Sequence, residues 1–73
     1  MPIPSETIYR DAADFRITWK EALEWTLIID EQGDIQLPRT ELDKQRFETK
    51  LDTLQRYSRI TNNTYLRQVL NKI

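Results

Sequence analysis

The chain contains no cysteine and no histidine, and only one glycine. Without cysteine there is no disulfide and no thiol nucleophile; without histidine the commonest general base is missing. Structural zinc sites are built from those two residue types, so neither a metal nor a covalent staple is expected. The single glycine, Gly33, cannot build a phosphate-cradling loop or a dinucleotide fingerprint, and Ser5 and Ser58 stand in no nucleophile-elbow context. The expectation is a chain that is not an enzyme, with no catalytic residue, no cofactor, no metal and no small-molecule substrate. Long apolar runs are absent too: the longest is Leu27-Ile28-Ile29, and residues 1–5 lack the basic and apolar regions of a signal peptide. No membrane association and a cytoplasmic location are expected.

What is present bounds the size of the core. Nineteen of the 73 residues are Leu, Ile, Val or Phe, enough to fold as one small domain over 1–73. A core of that size stabilises a fold only marginally, and with disulfides and metals excluded the remaining supplement is association with another chain. Two Trp, two Phe and three Tyr are more aromatic surface than so short a chain readily buries, and such rings commonly anchor interfaces.

A net charge of -1 conceals an asymmetry. Residues 1–37 sum to -5 and residues 38–73 to +4, with no acidic side chain after Asp52. Either the halves attract one another, within the fold or between subunits, or the basic end faces an acidic partner.

Local signals order the elements. Ser5 is placed to cap a short helix through Glu6 to about Ala13, with Ile8, Ala12 and Phe15 at helical spacing. Thr18-Trp19-Lys20-Glu21 matches a capping box, so a helix begins near Trp19 and turns Trp19, Ala22, Leu23, Thr26 and Leu27 to one face. Residues 25–37 read two ways. Trp25-Thr26-Leu27-Ile28-Ile29 is rich in strand formers, and Gly33 closes a polar loop before Ile35-Gln36-Leu37, which favours a β-hairpin. The competing reading continues the helix to Asp30. After Pro38, Thr40-Glu41-Leu42-Asp43 caps a long helix 40–59 with the stripe Phe47, Leu51, Leu54 and an Asp52–Arg56 pair. Asn62-Asn63-Thr64 opens a C-terminal helix 63–73 with Leu66, Val69, Leu70 and Ile73 on one face.

Possible sites are few. Asp11 with Asp14 and Glu21 with Glu24 have the spacing of paired carboxylates, but such pairs usually mark a solvated face, and so small a domain leaves little room for a cleft. From Asp30 the residues approach the calcium-loop pattern, which fails at its glycine place, held by Ile35. Residues 30–39 resemble locally the hairpin of swapped-hairpin DNA-binding proteins, although they are acidic where those are basic and a long helix stands where further strands belong. Near the C-terminus, Arg56, Tyr57, Arg59, Tyr65 and Arg67 combine cations for phosphates with rings for stacking.

The expected fold is therefore α+β: mostly helical, with a short β-hairpin around Gly33, helix 40–59 and helix 63–73. The alternative is an all-α bundle of three to four helices. The expected function is non-catalytic protein binding, by self-association or with a protein partner, as a regulator, assembly factor or subunit of a larger complex. Its candidate contacts are Trp19, Trp25, Tyr57, Tyr65, Arg56, Arg59 and Arg67. The alternative is a nucleic-acid-binding regulator using the basic segment 56–72.

Overall fold

Three of the helices begin where a side-chain oxygen takes a free backbone N–H. In the structure, a computed structural model describing residues 5–73, Thr18 Oγ1 accepts from the Glu21 N–H at 3.1 Å and Thr40 Oγ1 from the Asp43 N–H at 3.1 Å. Asn63 Oδ1 accepts from the Leu66 N–H at 3.0 Å. These caps open α2 (Trp19–Trp25), α3 (Glu41–Thr61) and α4 (Thr64–Asn71), which follow α1 (Ser5–Ala13). Ser5 lies in the first turn of α1; the fixed φ of Pro2 and Pro4 is expected to keep the residues before it out of a helix, and these fall outside the described residues.

Helix ends are as well defined. The chain turns through the left-handed region at Phe15 (φ 62°), Leu27 (φ 63°) and Asn62 (φ 52°). After α1 the Phe15 N–H donates to the Ala12 carbonyl at 3.1 Å and the Arg16 N–H to the Asp11 carbonyl at 2.9 Å. After α2 the Leu27 N–H donates to Glu24 O at 3.1 Å and the Ile28 N–H to Leu23 O at 2.9 Å. Each pair of bonds is a Schellman motif, and the single bond from the Asn62 N–H to Ser58 O is the simpler left-handed cap. Because Asn62 makes that turn, α3 runs two residues past the expected Arg59.

All four helices contribute to one core. Tyr9 and Ala12 from α1 meet Trp19, Ala22 and Leu23 from α2, Phe47 and Leu54 from α3, and Leu66 and Val69 from α4, with Ile28 and Ile29 from the loop. Trp19 lies between Tyr9 and Tyr57, with ring centroids 6.1 and 6.0 Å away. The Tyr9 hydroxyl donates to Thr26 Oγ1 at 2.8 Å, and that hydroxyl donates to the Ala22 carbonyl at 2.9 Å. Burial pushes the Tyr9 phenol up to about 12, against the opposing pull of the Thr26 bond.

The expected β-hairpin is corrected: the regular elements of the described residues are all helices, as in the all-α alternative, and between them Ile29 and Ile35 share only one isolated bridge. The turn itself forms. Asp30 Oδ1 accepts from the N–H groups of Gln32 and Asp34 at 2.9 and 3.0 Å, and Gly33 adopts φ 87°. What is missing is ribbon on either side. The α2 cap takes residues 26–28, the N–H groups of Ile28 and Ile29 both point back to Leu23 O, and Pro38 closes the other arm.

Candidate interaction surface

Two apolar side chains at the left-handed caps face outward. Phe15 is 95% exposed and Leu27 62%. The spacing that placed Phe15 beside Ile8 and Ala12 fails because the helix ends before it. Likewise Leu27 leaves the α2 face, where Trp19, Ala22, Leu23 and Thr26 are buried.

Phe15 stands on the rim of an open cleft of about 890 Å³. Its walls come from the α1–α2 turn and the α3–α4 turn, including Ile17, Trp19, Asn63 and Tyr65. A cleft of this size was not expected of so short a chain. Leu27 lines a second groove, about 540 Å³, with Leu37, Pro38 and Phe47. The first cleft reaches α3 at Thr61 and the second between Asp43 and Lys50, so they lie roughly 16 Å or more apart along that helix.

The candidate contacts separate into distinct surroundings. Trp19 is 8% exposed and belongs to the core, so it offers no free indole, whereas Trp25 is 58% exposed. Tyr57 is half-buried against Trp19. Tyr65 is half-buried at the Phe15 cleft, and its phenol is raised by burial and then by the charge of Glu24. Arg56 approaches Glu6 of α1 at 3.8 Å rather than Asp52. That pair joins the acidic and basic halves of the chain, and it is solvent-exposed on both sides and adds little stability.

Arg59 and Arg67 come together. They line a groove of about 330 Å³ with Gln55, Ser58, Leu70 and Asn71, and Arg67 donates to Asn62 Oδ1. Neither tyrosine lines that groove: Tyr65 lines the Phe15 cleft, Tyr57 and Arg56 line neither, and the rings and cations that sequence spacing grouped are not brought together.

Sequence reasoning set Phe15 at helical spacing with Ile8 and Ala12 and so missed it as a contact. The available signal was the lack of glycine or asparagine between Ala13 and Trp19, where a helix end and a new capping box require a chain reversal. No helix among the described residues is long and apolar enough to cross a membrane. No known family model matches the chain, and no curated protein or solved structure does either.

Proposed function

We propose that this chain is a non-catalytic protein-binding module whose principal contact is Phe15 and the cleft beside it. The observation that carries this reading is the conformation and exposure of Phe15. A left-handed conformation costs an L-residue with a large side chain on the order of 1–2 kcal/mol, and glycine would make the same turn without it. Chain reversal explains the backbone at this position. It does not explain a phenyl ring in solvent, which a partner would cover with a gain of roughly 2 kcal/mol. Strain together with an exposed aromatic is the pattern of a contact residue.

The test presents the full chain and its Phe15→Gly variant side by side to an extract of the source cells and to the chain itself. Binding of a protein by the parent that is lost in the variant is the expected result. If the parent binds neither itself nor any protein that the variant fails to bind, the reading is wrong.

A second reading, nucleic-acid binding, is favoured by one observation: no acidic residue lines the groove that Arg59 and Arg67 share. Two guanidinium groups there suit phosphate oxygens. A mobility shift with short RNA or DNA that weakens steeply with salt and disappears in Arg59→Ala/Arg67→Ala would support it, and the absence of any shift at low salt would reject it.

A further inference from the structure

The cleft beside Phe15 presents three requirements that one partner meets together. Its charged lining is one cation, Arg16, and one carboxylate, Glu21, and neither joins an ion pair among the described residues. The lining therefore carries no net charge to attract phosphates or a strongly charged peptide. Its apolar wall, formed by the half-buried Ile17 and Tyr65 over the buried Ala12 and Trp19, calls for an apolar group. Such a group stands at the same cleft in Phe15, whose backbone is fixed by the two cap hydrogen bonds. A patch that bears both the knob and the hole, and one charge of each sign, has what pairing with its own copy about a two-fold axis requires.

We infer that the occupant of the cleft is a second copy of the chain. In the resulting isologous dimer each Phe15 enters the cleft of the other copy, and Arg16 of each faces Glu21 of the other. This rests on the protein-binding reading above and names its partner. The cleft and its rim are a small part of the 5528 Å² surface, well below the roughly 800 Å² per partner of a standard stable interface, so a weak, concentration-dependent dimer is expected.

Sedimentation equilibrium of the full chain from micromolar to millimolar concentration tests the pairing. The parent chain should pass from monomer to dimer, and Phe15→Gly should weaken the dimer about thirtyfold, as loss of an aromatic anchor does. Arg16→Glu sets carboxylate against carboxylate and Glu21→Arg sets cation against cation, so each variant alone should dimerise at least about tenfold more weakly. Mixing the two restores both ion pairs, and so should a chain carrying both substitutions. Because Glu21 also accepts from the Thr18 hydroxyl at 3.2 Å in the α2 cap, thermal melts of each variant accompany the series. A parent chain monomeric at millimolar concentration, or a mixture that associates no better than its folded components, overturns the dimer. If that monomeric chain still binds a host protein through Phe15, self-pairing alone is wrong and the protein-binding reading stands.

Discussion

The helices α1 and α2 end in the same Schellman turn, each with a bulky apolar residue where glycine is usual, and the surroundings of the two turns differ. After α2, the motif's two apolar positions are Leu23 and Ile28, both fully buried. Thr26 in the same cap accepts from Tyr9, and its carbonyl accepts from Lys50 Nζ at 2.8 Å. After α1, the equivalent positions hold Asp11 and the exposed Arg16, with no apolar contact between them. The strain at Leu27 is thus offset inside the fold, and Leu27 itself leans into a groove. At Phe15 only the backbone turn serves the fold. One motif therefore does two jobs in this chain: at α2 it closes the core, and at α1 it holds a ring out to solvent.

The largest expected effect lies at the α2 end. Leu23→Ala removes a fully buried side chain and one half of the apolar pair in the cap, and should cost on the order of 2–5 kcal/mol, read from the urea midpoint. A change below about 1 kcal/mol would show that this cap is not part of the core.

Next in size is a pH effect at the same cap. The Tyr9 phenol sits at about 12 when folded, against an ordinary value near 10. Above pH 10 the unfolded chain releases this proton while the folded chain keeps it. The contribution is therefore complete below pH 10 and is lost as pH rises to 12, by about 3 kcal/mol at most. Unfolding curves across that window should show the decline, and Tyr9→Phe should flatten it. An equal slope in Tyr9→Phe would place the titrating group elsewhere.

Smaller again is the Lys50 contact. Burial and then the neighbouring Arg46 lower the Lys50 ammonium, against the opposing charge of Asp43, and its hydrogen bond to Thr26 O joins α3 to the end of α2. Lys50→Met keeps the length of the side chain and leaves that carbonyl without its donor, with an expected loss of about 1 kcal/mol in thermal unfolding. No loss would mean that solvent replaces the ammonium without penalty.

Much of the fold was legible because capping chemistry is local. Thr18, Thr40 and Asn63 announce their helices through a hydroxyl or amide within three residues of the N–H it satisfies. The stripe of Phe47, Leu51 and Leu54 shows in the same way, with Phe47 and Leu54 buried and Leu51 packed at the edge of the core. The hairpin was misread because Ile28 and Ile29 are apolar for tertiary reasons: they follow a helix cap into the core, and β-propensity does not distinguish that from a strand. Phe15 was misread because helical periodicity carries no information on where the helix stops. Left-handed turns are inferred from glycine or asparagine, as at Gly33 and Asn62, and Phe15 and Leu27 give no such sign.

The contrast between the two caps is tested most directly by urea unfolding of Phe15→Gly at a concentration where the chain is monomeric. Glycine relieves the left-handed strain and removes a ring that contacts almost nothing, so the midpoint should stay level or rise, by up to about 1 kcal/mol after the added flexibility of the unfolded chain is counted. A destabilisation of 2 kcal/mol or more, on the order of a core truncation, would show that the ring holds the fold together and would contradict its assignment as a surface kept for a partner.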